Sequence, residues 1–517
     1  MISSQPTPSR RLRATAIAGV AMLSGMLALP GAAGAASPSA GFATKAAPMI
    51  SPLVEGVDVK PLLTVGETIG DYRFESIPDG ISIRPGGGAT FDAYVNHETS
   101  KVPFPFNATT GVGLVDFDNA QLSHLVLKRG SGKVLSGEYA IPSSANYQRF
   151  CSNFLAGPAQ GWSREILFTN EEATDVVNRT GTAWPATPAF GSNPEQAGIA
   201  VAFDPSTGDY KSIYGLGRMN HENSVAVPDY DEAVLVTGDD TFTAPASQLY
   251  MYVADDADAV WNDEGHLWAF KSDDGAVNDY GDLSVGTSVG GTFIAVPDAI
   301  ADGDQTGLEN WSKANGVFQF IRIEDLATDR TDPHIVYFAD TGEPRAVRNA
   351  TTGLLDRGPA GTTGPFPNGR IFKMVLDDED PTVVDSLTVL IDGDTGGYNN
   401  VGALHQPDNI ETTANSMLIT EDPGGHNRFA GATNARLWRY DFATGDLTAV
   451  AVAADPTADW ETSGVVDASE YFGDGAFLIN VQAHNIFVET NPNPVNVAGL
   501  TQKRESGQLL LIRIDGA

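Results

Sequence analysis

The chain holds one cysteine, Cys151, and a set of carboxylates that stand at the ends of β-like runs beside other polar residues. The carboxylates are Glu98 in Asn96-His97-Glu98, the tandem pair in Thr169-Asn170-Glu171-Glu172, Glu222 in Asn220-His221-Glu222 and Glu324 in Arg322-Ile323-Glu324-Asp325. Asp239 in Gly238-Asp239-Asp240, Asp408 in Gln406-Pro407-Asp408-Asn409 and Glu461 in Trp460-Glu461-Thr462 complete the set. Any one of these alone reads as a solvated loop charge. Gathered in a confined channel, they cannot all stay ionised without cations. Carboxylate oxygens suit Ca²⁺. A thiolate among them suits a softer metal such as iron or zinc. The chemistry these residue types offer together is metal binding.

Competing motifs fail on context. Gly286-Thr287-Ser288-Val289-Gly290 matches G-x-S-x-G, but no helical pattern follows it, as a nucleophile elbow requires. The sequence has no phosphate-binding P-loop and no H-E-x-x-H helix. Asp302-Gly303-Asp304 and Asp392-Gly393-Asp394 resemble fragments of calcium loops, yet neither sits in a full EF-hand, so both read as solvated turns.

The elements that must position the carboxylates are short strands. Turn clusters recur at Arg84-Pro85-Gly86-Gly87-Gly88, Asp204-Pro205-Ser206-Thr207-Gly208 and Asp422-Pro423-Gly424-Gly425, and few stretches keep a helical period. The runs Ser247–Val253, Gly265–Phe270, Gly369–Met374, Ala435–Tyr440 and Gly507–Ile512 each mix aliphatic and aromatic residues, and the last three begin about 65 to 75 residues apart. Repeats of that size predict an all-β chain folded as a β-propeller with six or seven blades. A large sandwich or several β domains is the alternative. In a propeller the strand ends of every blade meet at a central channel, so distant carboxylates can face one another there.

Composition narrows the function. The 517 residues include 31 basic and 66 acidic side chains, a formal charge of 31 − 66 = −35. That charge repels nucleic acid and anionic membrane surfaces. A single cysteine excludes an intrachain disulfide and Cys-rich zinc modules. Residues 1–35 read as a secretory signal: Arg10, Arg11 and Arg13 precede an apolar run from Ala14 to Leu29, and Ala33-Gly34-Ala35 offers a cleavage pattern. The adjacent arginines also fit a twin-arginine signal. Residues 36–60 read as a leader segment and 61–517 as one propeller domain. Without the signal the charge becomes (31 − 3) − 66 = −38. The expected location is therefore secreted or extracytoplasmic. A lone thiol there must be buried or act as a ligand. No later run reaches the roughly 18 apolar residues of a membrane span.

The ordered motifs resemble the PhoX-type alkaline phosphatase family over roughly Tyr94 to Asn485. The similar elements are Val95-Asn96-His97-Glu98, the cysteine followed by Leu167–Glu172, Gly217–Glu222, Val236–Asp240, Phe320-Ile321-Arg322-Ile323-Glu324, Gln406–Asn409 with Thr420-Glu421-Asp422, and Glu461–Gly464 ahead of Phe477–Gln482. Three segments depart from the family's pattern. Ala156–Trp162 replaces a Pro-Trp-Gly element, Gln482-Ala483-His484-Asn485 stands for Gln-His-Pro-Gly, and Asn409 stands where glycine is usual. The resemblance implies a six-bladed propeller with an iron–calcium cluster in its channel. It implies hydrolysis of small phosphate monoesters. The chain is expected to be a monomer. By position the resemblance implies Glu98, Cys151, Glu172, Glu222, Asp239, Glu324, Asp408 and Glu461 as metal ligands and Arg322 as the phosphate clamp. The alternatives are a calcium-stabilised binding module without catalysis, or a propeller hydrolase of the phytase or lactonase kind.

Overall fold

The computed structural model describes residues 41–102, 113–178, 194–241, 247–395, 400, 402–423, 434–456, 459–492 and 500–517. Within them the turn clusters cut the chain into short strands that pair with their sequence neighbours. Four antiparallel strands form blade 1: Pro78–Pro85, Thr90–His97, Gln121–Lys128 and Val134–Ile141. Blade 2 follows with Phe150–Ala156, Ile166–Glu171, Ala200–Phe203 and Tyr210–Ile213. Blade 3 runs through His221–Val227, Ala233–Asp239, Leu249–Ala254 and His266–Ser272. Blade 4 takes Ile323–Thr328, Ile335–Asp340, Arg370–Leu376 and Val383–Asp392. Blade 5 takes Pro407–Thr412, Ser416–Glu421, Arg436–Asp441 and Leu447–Ala453. Blade 6 takes Glu461–Asp467, Ala476–Asn491 and Leu500–Ile514, and is completed by Val57–Thr64 from the other end of the chain.

The first strand of each blade lies innermost, and each innermost strand abuts that of the next blade, the sixth returning to the first. The described strands therefore form a closed six-bladed propeller, one of the two blade numbers that the repeat length predicts and the one that the resemblance implies. Closure comes from Val57–Thr64 pairing antiparallel with Leu500–Ile514, which ties the first and last parts of the fold into one sheet. Ser288–Ala295 bridges the outer strands of blades 3 and 4 and covers both edges.

Apolar clusters fill the faces between neighbouring blades. Tyr94, Leu122, Phe150 and Leu167 pack between blades 1 and 2. Val225, Val236, Phe320, Phe338 and Phe372 pack between blades 3 and 4. Tyr337, Ile371, Met417 and Trp438 pack between blades 4 and 5. The core thus lies between the blades, which leaves the channel free for polar residues.

Two readings of the sequence change here. Ile50–Pro52 pairs with Leu447–Ala453 and Val57–Thr64 closes blade 6, so the leader segment expected over 36–60 does not extend that far. An edge strand is held by backbone hydrogen bonds and needs little side-chain pattern of its own, which is why this stretch reads as a leader segment in the sequence. Asp302-Gly303-Asp304 stays an exposed turn, in which Asp304 caps helix Gln305–Asn315 by accepting from Gly307 N, whereas Asp394 is structural and accepts from Tyr280 and from Asn368 N. The signal segment 1–35 lies outside the described residues.

Candidate metal centre

One local device places most of the site. In five blades the register between the innermost strand and its neighbour slips just after the first paired residue: from Pro78 to Ile81, Phe150 to Asn153, His221 to Ser224, Ile323 to Leu326 and Pro407 to Ile410. The residues carried on these bulges are Asp79, Cys151, Glu222, Glu324 and Asp408. A bulge takes its residue out of the ladder and re-aims the side chain, here toward the channel. Three of the strands are entered through a left-handed residue: Ile77 at φ 49°, Arg149 at φ 45° and Gln406 at φ 52°. Such backbone costs on the order of 1–3 kcal/mol per residue and persists only where the surroundings hold it.

Side chains from the preceding blade supply that hold. The Asn96 amide donates to the carbonyls of Cys151 (2.6 Å) and Ser152 (3.0 Å). The Asn170 amide donates to Glu222 O at 3.2 Å, and Thr341 Oγ1 donates to Pro407 O at 2.8 Å. Asn480 of blade 6 donates to Asp79 O of blade 1, which continues the pattern across the closure. A Cβ at Gly80 or Gly464 would run into the backbone at Ser152–Asn153 or at Asp79, so both positions require glycine.

A second tier comes from the ends of the second strands. His97, Glu171, Asp239, Asp340 and Glu421 are the register partners of the first innermost residues. Most of them hold loops. His97 bonds Ser76 O and Ser123 Oγ, Glu171 accepts from Gln148 N and Gly198 N, and Glu421 accepts from His405 N and Trp438 Nε1. In blades 1 to 3 the residue that follows turns to the site side: Glu98, Glu172 and Asp240.

Seven of these residues converge, in three groups with ligand atoms within 4.8 Å of one another: Asp79–Glu98–Cys151, Cys151–Glu172–Glu222 and Glu222–Glu324–Asp408. Cys151 and Glu222 each belong to two groups. Cys151 Sγ lies 2.9 Å from Asp79 Oδ2. All but Glu98, which is partly exposed, are buried or nearly so.

The electrostatics follow from this crowding. Burial first, and then the neighbouring carboxylates, push Glu98, Glu172, Glu324 and Asp408 well above the usual carboxylate range. The Cys151 thiol is raised for the same reasons. So many buried acids beside one thiol demand cations or protons. Glu222 Oε2 is buried with no hydrogen-bond partner, an acceptor left for a cation. The donor set therefore fits metal ions.

Arg322 stands beside the third group. Its Nε and Nη2 grip Asp240 at 2.7 and 2.6 Å, and Nη2 also lies 3.1 Å from Glu324. Nη1 is buried without a hydrogen-bond partner. At the rim, His484 bridges Glu505 (3.2 Å) and Glu461 (3.5 Å), and Lys503 bonds Glu505 at 2.9 Å. Burial opposes the charge on His484, but its two glutamate partners prevail and raise it well above the usual histidine range.

Of the residues expected from sequence, Glu98, Cys151, Glu172, Glu222, Glu324 and Asp408 meet in the three groups, and Arg322 adjoins them. Asp239 does not. It sits at the loop-holding position, accepts from Thr241 Oγ1 at 2.5 Å, and leaves the site side to Asp240. Glu461 pairs with His484 and belongs to none of the groups. Asp79 was missed. Its signal was available, since Ile77-Pro78-Asp79 opens a strand just as Gln406-Pro407-Asp408 does.

The model of a family described as alkaline phosphatase PhoX matches residues 164–473, more than half of the chain. The chain belongs to the PhoX alkaline phosphatase family. It is thus a metal-dependent phosphohydrolase. The PhoX match begins after Cys151, so Asp79, Glu98 and Cys151 join the site through the fold. Among solved structures, Pseudomonas fluorescens PhoX in complex with vanadate, a transition state analogue, is similar at TM-score 0.60 and 15% identity, covering 92% of this chain and 97% of that one. The NanB sialidase of Streptococcus pneumoniae is similar at TM-score 0.38 and 8% identity over 86% of this chain and 70% of that one. An α-L-arabinanase of Penicillium chrysogenum gives TM-score 0.38 and 8% identity over 87% and 98%. The first likeness supports the propeller fold of the PhoX family. No curated protein matches the sequence. Among the described residues no helix is long and apolar enough to cross a membrane.

Proposed function

We propose that this PhoX family protein hydrolyses small phosphate monoesters outside the cytoplasm, with iron at the two groups that share Cys151 and Ca²⁺ at the all-carboxylate group. The observation that carries the reading is the convergence of seven donors from five blades on Cys151 and Glu222. Carboxylates alone suit the hard Ca²⁺ ion, and the thiolate favours iron. The signal-like residues 1–35 support the location.

When bound, the ions supply positive charge to the phosphoryl oxygens and a nucleophile from water at neutral pH. Asp79, Glu98, Cys151, Glu172, Glu222, Glu324 and Asp408 hold them. Arg322 binds the phosphoryl group through Nη1 while Asp240 and Glu324 fix the guanidinium plane. Charged His484 and Lys503 offset part of the acidic rim. That offset matters on a chain of formal charge −35, which otherwise repels a phosphate dianion. The vanadate bound by Pseudomonas fluorescens PhoX is a phosphoryl mimic of the kind this arrangement would take.

The test is hydrolysis of p-nitrophenyl phosphate by metal-loaded protein. Arg322→Ala is expected to lower kcat by about 10²–10³-fold, the size of a lost transition-state donor. Arg322→Lys should not restore it, because a point charge cannot keep the two bonds to Asp240. An Arg322→Ala enzyme within about threefold of the parent, or a metal-loaded parent inactive on every monoester tried, would overturn the proposal.

A further inference from the structure

We infer that Asn409 is a positioning residue of the metal centre: through Ser152 it fixes the carboxylate of Glu222 from across the channel. The inference rests on reading the three ligand groups as metal sites.

Asn409 follows the ligand Asp408 on the innermost strand of blade 5, and Ser152 follows Cys151 on that of blade 2. In a six-bladed ring those two blades face each other across the channel. Asn409 Nδ2 donates to Ser152 Oγ at 2.7 Å, and Ser152 Oγ donates to Glu222 Oε1. The direction of this relay is set by the proton inventory. As a metal ligand Glu222 would be a carboxylate that only accepts, so the single hydroxyl proton of Ser152 goes to it. Ser152 can then only accept from Asn409, whose amide has protons to give.

With Oε1 held in this way, Glu222 has one oxygen left, and Oε2 is the buried atom without a partner. Glu222 belongs to both the Cys151–Glu172 group and the Glu324–Asp408 group, so its rotation sets the spacing of two ion sites at once. On the far side of Asn409, Ser463 Oγ lies 3.3 Å from Oδ1 and also donates to Asp79, a ligand of the remaining group. Asn409 is itself anchored by its backbone, whose N–H donates to Thr420 Oγ1 at 2.7 Å. Asn409, Ser152 and Ser463 are all buried in the channel wall, where an amide would stay unsatisfied without such partners. One amide therefore links residues next to, or bonded to, ligands of all three groups. A glycine or alanine at 409 would leave the Ser152 hydroxyl free to turn away from Glu222.

The test compares parent, Asn409→Ala and Ser152→Ala, each stripped with chelator and titrated with Ca²⁺ alone. The readout is thermal stabilisation, and metal content of unstripped protein is measured in parallel. Loss of an outer hydrogen-bond partner typically costs 10–100-fold in metal affinity, so each variant should need at least about tenfold more Ca²⁺ for half-maximal stabilisation. Melting of the stripped proteins should stay close to the parent's, which a merely structural role would not allow. Because the two residues act in series, the double variant should be no worse than the weaker-binding single variant. Should Asn409→Ala not fold, Ser152→Ala, which removes one hydroxyl, carries the test alone. Parent-like Ca²⁺ dependence in Ser152→Ala and in any folded Asn409→Ala would overturn the inference and leave the metal sites standing. A parent that binds no metal would overturn the sites and the inference together.

Discussion

Cys151→Ser is expected to abolish phosphatase activity while the propeller still folds. Cys151 belongs to two of the three ligand groups, so the substitution weakens two sites at once. Serine keeps the shape but not the ligand: a hydroxyl is far harder to deprotonate than a thiol and offers iron a poor donor. The charge that a metal ion supplies to a phosphoryl transition state is worth several kcal/mol. Each 1.4 kcal/mol is tenfold in rate, so the loss should reach about 10³-fold or more. The fold should survive because the blade interfaces are apolar and Cys151 lies in the channel wall, outside those clusters. The checks are p-nitrophenyl phosphate turnover, iron content and the circular dichroism spectrum of the same preparation. Full activity in Cys151→Ser would favour a carboxylate-only calcium hydrolase of the phytase or lactonase kind.

Chelation is the second large effect, and its size should depend on pH. In the stripped protein the clustered carboxyls are pushed up by burial and by one another, and Glu461 reaches about 7. Their folded-state values lie above those of the unfolded chain, near 4.3. Between those values the folded state binds more protons than the unfolded one, so stability falls as pH rises through that window. Bound cations replace the protons and remove the dependence. Each ion present at 1,000 times its dissociation constant stabilises by about 4 kcal/mol. Three ions in a chain of this size correspond to a melting temperature higher by roughly 10 °C. The gap between loaded and stripped protein should therefore be modest at pH 5 and wide at pH 8. Differential scanning calorimetry with and without chelator reads it directly. A gap that is absent, or equal at both pH values, would mean that the carboxylates do not share cations.

The fold was legible because the propeller repeats. Gly369–Met374, Ala435–Tyr440 and Gly507–Ile512 all fall in the third strands of their blades, which is why their spacing matched a blade length. Gly265–Phe270 looked alike but forms a fourth strand. The site was legible where polar residues open or close strands, and it blurred where the propeller shifts them by one. The tripeptide Asn-His-Glu occurs twice, yet Glu98 closes a second strand while Glu222 opens an innermost one. Asp239 and Asp240 differ by one residue, and the alternation of the strand sends one to a loop and the other to Arg322. Asp79 lies ahead of Val95–Glu98, the first of the ordered motifs, and only the Pro-Asp pair it shares with Pro407-Asp408 marks it. The residue that braces Glu222 was visible only as a departure, Asn409, whose partners Ser152 and Ser463 lie 257 and 54 residues away. Sequence spacing carries no trace of such contacts.

The central claim is that strand ends from five blades hold metal ions around Cys151. Anomalous diffraction from crystals of the natively purified protein, collected on both sides of the iron edge, tests it most directly. The predicted result is an iron signal within bonding distance of Cys151 Sγ, flanked by Asp79 and Glu98 or by Glu172 and Glu222. A channel without metal density, with Cys151 Sγ still bonded to Asp79, would contradict it.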